Sequence, residues 1–348
     1  MKAKKIHNSC YEIDVNLWDD DDCIEMGKFL SGNLVGFVNN SVTEDRLHYI
    51  QTQLWGTPSR PMVQDAALRG EIRGRHWRDI QVQMTLIAKQ LENTYAHRDA
   101  MARISFEVDE KSGRPKGGFP EGQLYWHCDQ QSHHDNQRMI GLMSISNTEN
   151  SQTSFLPTKE FYESLNHEDK SMVDELTTIW EWDGGTMNIG VNKTFNRTVT
   201  HYHMAPVDGI ESSLIEYTAD GTKGMRFPTH CFRKFKGMSR EDSLKFREKL
   251  WNKLNTDEYV YTHDWKDGQI MFMDQNITVH CRPTQKEMSP KRTLVRTNTY
   301  LDKIYEGKGP ITDWTVDGVT YKWSEFLKIA DQNKLDEFEG RKIWNEAY

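Results

Sequence analysis

Gly122-Gln123-Leu124-Tyr125-Trp126-His127-Cys128-Asp129 (GQLYWHCD) carries more chemistry than any other stretch of this chain. In an extended backbone, residues two apart point the same way, so His127 and Asp129 project together while Cys128 faces the other side. One imidazole and one carboxylate on a shared face are two arms of a facial two-histidine, one-carboxylate site. Such a site leaves coordination positions of Fe(II) open for other ligands. A His-x-Asp tripeptide also arises by chance in a long chain, so it needs a second half.

That half stands in the C-terminal third. The turn Asp267-Gly268 leads into an apolar strand over Gln269–Asp274, and His280 follows. Beyond it, KRTLVRTNTY (291–300) alternates so that Arg292, Leu294 and Arg296 share one face. Their two arginine Cα atoms then lie about 13 Å apart, at ~3.3 Å per residue. A guanidinium facing a core is costly without an anion. Its planar fork grips a carboxylate through two hydrogen bonds, which suits the far end of a dicarboxylate. A structural ion pair or a strand edge would also account for either arginine taken alone.

Around these residues the pattern is strand-rich. Short strands are predicted over Gln123–His127, Arg138–Ser146, Ser213–Thr218, Glu258–His263, Gln269–Asp274 and Arg292–Tyr300, bounded by turns such as Asp220-Gly221. Before them come a helix over Glu25–Leu30, a strand over Leu34–Val38, a helix from Thr43 to Gly56 and another over Arg78–Thr94. Helices over Thr158–Leu165, Ser239–Leu254 and Ser324–Leu335 interrupt or follow the strands. Many short strands with helical insertions predict an α+β chain with a β-dominated core: a jelly roll, or double-stranded β-helix, wrapped by helices. No linker or repeat divides it, so residues 1–348 are read as a single domain.

Composition narrows the class. Lys plus Arg number 44 and Asp plus Glu 52, a net charge of −8, which argues against nucleic acid as a main partner. Mean hydropathy is −0.79, and no apolar run approaches the ~20 residues of a membrane span. The basic start, MKAKKIHNSCYEIDV, has no apolar stretch behind it, so no secretory signal is read. Eleven Trp, 13 Tyr and 14 Phe demand a folded interior. The five cysteines are an odd number without a Cys-x-x-Cys pair, which fits reduced thiols in a cytoplasm.

The order HCD (127–129), His280, Arg292 resembles the TauD/TfdA family of Fe(II)- and 2-oxoglutarate-dependent dioxygenases. GQLYWHCD is similar to that family's lead-in to its metal motif. NSQTSFLPTKEFYESL, LIEYTADGTKGMRFP and GNLVGFVNNSVTEDRLHYIQTQLWG resemble its later and earlier segments, so the likeness runs from about residue 25 to 300. The resemblance implies that His127, Asp129 and His280 bind iron, and that Arg292 and Thr153 hold the C5 carboxylate of 2-oxoglutarate. It implies O2 as the other cosubstrate, and Arg296 as a contact to an anionic small-molecule substrate, with Gln123 set beside it as a second substrate contact. A carboxylate at Asp129 implies a hydroxylase rather than a halogenase. The family also leaves a homo-oligomer open.

Segments 189–206 and 304–348 and the pair His133, His134 depart from the family pattern. A zinc hydrolase or cupin-like enzyme built on the same His/Asp/His set stays open, as does a non-catalytic β-barrel binding protein. Cys128 and Cys281 adjoin proposed ligands, but alternation turns each from the face its neighbouring His uses, which argues against thiolate ligation. His133, His134, His201 and His203 are read as loop histidines. Asp19–Asp22 lacks the spacing of a calcium loop and reads as a solvated acidic face. The patch Arg69, Arg73, Arg75, Arg78 reads as an ion-paired helix surface, and the loop 113–122 as a hairpin connection rather than a phosphate-binding loop.

Overall fold

The computed structural model describes residues 1–56, 101–105, 123–128, 139–180, 210–229, 232–283, 291–305, 313–316 and 319–322. A hairpin opens the chain, β1 (Lys2–His7) and β2 (Cys10–Asp14), followed by α1 (Asp20–Asn33), β3 (Val35–Val38) and α2 (Glu44–Tyr49). After α2 the helix widens into a π-helical turn, Ile50–Trp55. Then come β4 (Met101–Ser105), β5 (Leu124–His127), β6 (Met139–Ser146), β7 (Gln152–Pro157), α3 (Lys159–Ser164), α4 (His167–Glu175) and β8 (Thr177–Trp180). The remaining elements are β9 (Ile210–Ser213), β10 (Ile215–Tyr217), β11 (Lys223–Met225), β12 (Phe232–Phe235), α5 (Arg240–Leu254), β13 (Tyr261–Asp264), β14 (Ile270–Asp274), β15 (Thr278–Arg282), β16 (Thr293–Thr299), β17 (Asp313–Val316) and β18 (Val319–Lys322).

Two sheets dominate. The larger runs β1-β2-β3-β14-β6-β16-β4 and the smaller β13-β7-β15-β5; apart from the β1-β2-β3 edge, strands beside one another come from distant parts of the chain. Their inner faces share one core, in which Phe37, Ile140, Met271 and Leu294 of the larger sheet meet Phe155 of the smaller. Phe37 and Phe155 pack edge to face, with centroids 5.5 Å apart. Strand β14 is buried throughout because it is covered on both sides. Met271 and Met273 look into the inter-sheet core, while Ile270 and Phe272 look out at α1 and α2. Behind the smaller sheet, Leu156 and Val279 pack with Phe161, Leu250 and Leu254. The chain is thus strand-rich α+β. Among the described residues no helix is long and apolar enough to cross a membrane.

Local chemistry explains the helix ends. The acidic run 19–22, expected as a solvated face, starts α1: Asp19 caps it by accepting from Asp22 N at 2.9 Å, and Asp20–Asp22 occupy the positive first turn. Asp20 also accepts from Arg46 at 2.8 Å and Tyr49 at 3.1 Å, tying α1 to α2. Thr43, where the sequence places the start of a helix, caps α2 by accepting from Arg46 N at 3.1 Å. Gly56 is required where the chain leaves the π turn, since a Cβ there would meet the backbone nitrogens of Leu301 at 2.8 Å and Asp302 at 2.7 Å. Ser239 caps α5, accepting from Asp242 N at 3.1 Å.

Thr158, at the start of α3, does not act as a side-chain cap. Its hydroxyl donates to Ile277 O at 2.8 Å and accepts from Met225 N at 2.8 Å, joining β7, β11 and the start of β15. Because Thr158 is fully buried, Thr158→Val takes from Met225 N its hydroxyl acceptor, while Ile277 O keeps the Thr158 backbone N–H at 2.9 Å. Urea denaturation should show a loss of about 1–3 kcal/mol. A change under about 0.5 kcal/mol, the ordinary range for a surface substitution, would show that the hydroxyl is not the link. The predicted helices over 78–94 and 324–335, the Arg69–Arg78 patch, the loop 113–122 and the segment 189–206 lie outside the described residues.

Candidate functional site

Strands β5 and β15 pair antiparallel with His127 opposite His280. The two rings lie 4.3 Å apart between centroids, tilted by 48°. His127 is buried, and its Nδ1 sits 2.5 Å from the carbonyl oxygen of Tyr125. A carbonyl can only accept, so Nδ1 carries the proton and, in the neutral ring, Nε2 is the acceptor nitrogen.

Both rings border a cavity of about 80 Å³ between the sheets. Leu124, Ile140, Leu142, Met271, Met273 and Leu294 supply its apolar wall, and Thr153, Arg282, Arg292 and Arg296 its polar groups. Arg292, Leu294 and Arg296 all reach it, as the alternation of β16 predicts. Arg292 is buried, and desolvation brings its pKa down to about 10, so it remains a cation at neutral pH. The described residues lining the cavity include three arginines and no Asp or Glu.

Thr153 is set by a buried neighbour. Trp265 Nε1 donates to its Oγ1 at 2.9 Å, which uses one lone pair and leaves the hydroxyl proton to be donated elsewhere. Trp265 stands edge-on to His263 at 5.2 Å, and His263 stacks on Phe37 at 4.1 Å. Gln269 Oε1 accepts from Lys266 N at 2.9 Å, so the same oxygen faces His263 Nε2 at 3.0 Å and receives its proton. Gln269 Nε2 donates to Asn39 at 2.6 Å, closing the chain of contacts behind Thr153.

Burial holds the His263 pKa below its usual value, against the opposing pull of the Gln269 hydrogen bond and the Asp264 and Glu12 carboxylates; Lys266 acts with burial. Below pH ~6.5 the unfolded chain takes up a proton here that the folded chain refuses. Stability should therefore fall as pH drops through ~6.5 toward the lowered folded value, by at most about 1.4 kcal/mol per pH unit from this group. His263→Phe should flatten that slope in urea denaturation at pH 7.5, 6.5 and 5.5. An unchanged slope would assign the acid sensitivity elsewhere.

The structure thus brings together His127, His280, Thr153, Arg292 and Arg296. Asp129 lies outside the described residues, as do His133, His134, His201 and His203. Among the described residues no cluster of three or more His, Cys, Asp or Glu side chains comes together. Gln123 is half-buried just before β5 and is not among the described residues lining the cavity. Cys128 faces the opposite core, as expected, donating to Thr278 O at 3.3 Å. Cys281 corrects an expectation: it borders the cavity, at the point where the β5–β15 register slips between His280 and Arg282. Burial pushes its thiol up to about 11, so it stands there protonated. Arg282 was not singled out from the sequence, although its position two residues after His280 on a strand is the signal that places it on the same face.

Comparison with known proteins gives consistent likenesses. A family model described as taurine catabolism dioxygenase TauD, TfdA family matches residues 83–298. A crystal structure of AAD-2 in complex with Mn(II) and N-oxalylglycine superposes with a TM-score of 0.62 at 14% identity, covering 86% of this chain and 96% of that one. A taurine dioxygenase from Burkholderia xenovorans gives 0.58 at 16% identity, covering 94% and 97%. At these identities the structural likeness speaks to the fold. No curated protein sequence matches the chain.

Proposed function

Because the chain belongs to the TauD/TfdA family of dioxygenases, we propose that it is an Fe(II)- and 2-oxoglutarate-dependent dioxygenase that hydroxylates an unactivated C–H bond of a small anionic substrate. In this reading the two main sheets are the halves of a double-stranded β-helix, with the reaction in the cavity between them. The observation that carries it is the cross-strand pair His127–His280 in the same cavity as Arg292 and Thr153.

The donor set fits a divalent iron. Two imidazoles, one with its Nδ1 proton directed to Tyr125 O so that Nε2 is its acceptor nitrogen, would supply the nitrogen ligands, and Asp129 would supply the carboxylate. Bound iron would contribute the activation of O2 coupled to decarboxylation of 2-oxoglutarate to succinate and CO2. The protein's own share is binding and exclusion. Arg292 neutralises the far carboxylate through a two-pronged contact, and Thr153, oriented by Trp265, donates its hydroxyl proton to it. The apolar wall of Ile140, Leu142, Met271 and Met273 keeps water from the reacting centre. Arg296, four residues along the strand from Arg292 and so about 13 Å from it between Cα atoms, is assigned to the anionic group of the substrate.

Anaerobic titration of the apoprotein with Fe(II) and then 2-oxoglutarate tests this reading. A weak visible charge-transfer band that needs both additions is expected, followed by a screen of anionic substrates by succinate release. Metal binding without any band on adding 2-oxoglutarate would overturn the oxygenase reading in favour of zinc and hydrolysis.

A further inference from the structure

We propose that Arg282 is a second guanidinium for the far carboxylate of 2-oxoglutarate, acting with Arg292 and Thr153 from the opposite sheet. The inference rests on the dioxygenase reading and extends its cosubstrate site by a residue. Arg282 is 4% exposed and lines the cavity. It lies one strand period beyond His280, about 6.6 Å along β15 on the same face.

Register decides which end of the cavity it serves. β15 pairs with β7 as His280 to Phe155 and Cys281 to Ser154, the last pair of that ladder; the same register carried one step on would set Arg282 across from Thr153, and both line the cavity. Cα atoms of such cross-strand partners are about 4.5–5.5 Å apart, which makes the two side chains lateral neighbours. Arg292 approaches the same end from the larger sheet. It directly precedes Thr293, which pairs with Ser146 at the end of β6, while Arg296 pairs with Leu142, further along. The turn after β13 ties those ends together: Trp265 N donates to Ser151 O at 2.9 Å, and Ser144 N to Gln269 O at 2.9 Å. One end of the cavity therefore holds two guanidinium groups from opposed sheets and a hydroxyl with its proton aimed by Trp265.

A carboxylate has about four lone-pair sites, enough for a bidentate guanidinium, a second guanidinium and a hydroxyl together. The second cation makes the pocket demand a full negative charge at that position. It thereby favours a dicarboxylate 2-oxo acid over a monocarboxylate one, which cannot make the charge-assisted contacts at that end.

The test uses the full chain loaded with Mn(II) under anaerobic conditions, titrated calorimetrically with 2-oxoglutarate and with pyruvate, which keeps the 2-oxo acid but lacks the far carboxylate. Arg282→Gln should weaken 2-oxoglutarate binding about tenfold to a hundredfold and leave pyruvate and Mn(II) binding within about twofold. Arg282→Lys, which keeps the charge but loses the fork, should give an intermediate loss. Equal shifts for both acids, or none for either, overturn the assignment and make Arg282 structural. If Arg282→Gln does not fold, the lysine variant carries the test: an unchanged ratio of 2-oxoglutarate to pyruvate affinity overturns it. Failure of the unsubstituted protein to bind 2-oxoglutarate would instead remove the dioxygenase reading itself.

Discussion

Replacing Arg292 with glutamine should raise the 2-oxoglutarate dissociation constant by about a hundredfold or more while leaving Fe(II) binding within about twofold. The size of the effect follows from burial. The guanidinium is 3% exposed in a cavity whose described lining has no carboxylate, so a ligand carboxylate meets it without competition from water. Charge-assisted, desolvated contacts of this kind are worth about 2–5 kcal/mol when one partner is removed, or roughly 30- to several-thousandfold. Glutamine keeps some of the volume and a donor but no charge. Titration is not a confounding factor, because a pKa near 10 leaves the side chain cationic across pH 6–8. The measurement is anaerobic titration of the iron-loaded variant with 2-oxoglutarate, alongside Fe(II) titration of the apoprotein. Equal loss of iron and 2-oxoglutarate affinity would show that Arg292 supports the fold of the cavity rather than the ligand.

Replacing His280 with alanine should lower Fe(II) affinity by well over a hundredfold. Changing only the hydrogen-bond partner of a ligating histidine costs about 10- to 100-fold, and removing a ligand outright costs more. His280 is half-buried on β15, flanked by the buried Val279, which packs in the core behind the smaller sheet, and the buried Cys281. The backbone pairing with β5 and β7 does not depend on its ring, so the variant should fold. His127 loses its ring neighbour but keeps the Tyr125 contact. Competition with a chromophoric chelator measures the affinity, and circular dichroism checks the fold. Retention of iron affinity within about tenfold in a folded variant would remove His280 from the ligand set, and the three-residue reading with it.

Much of the strand pattern was legible because period-two alternation and turn residues are local properties. The strands at 124–127, 139–146, 270–274 and 293–299 fall within a residue or two of their predicted bounds. The caps at Thr43 and Ser239 were readable for the same reason, since a hydroxyl and an orphan N–H three residues on suffice. The hairpin β1–β2 and the strands β7 and β15 escaped notice. β7 reads QTSFLP and β15 TVHCR, short mixed runs without clean alternation, and both are strands because each is paired on both sides within the smaller sheet.

The site divides along the same line. Sequence alone determined the residue types that matter, the alternation that lines up Arg292 with Arg296, and the family to which their order points. Only the tertiary structure decided that His127 faces His280 across a strand pair formed from residues 153 positions apart. It also decided that Trp265 aims the Thr153 hydroxyl, and that Arg282 shares the cavity while Gln123 does not line it. Those are consequences of inter-strand register and of which sheet faces which. Register is set by burial summed over whole strands from both ends of the chain, so no local stretch of sequence contains it.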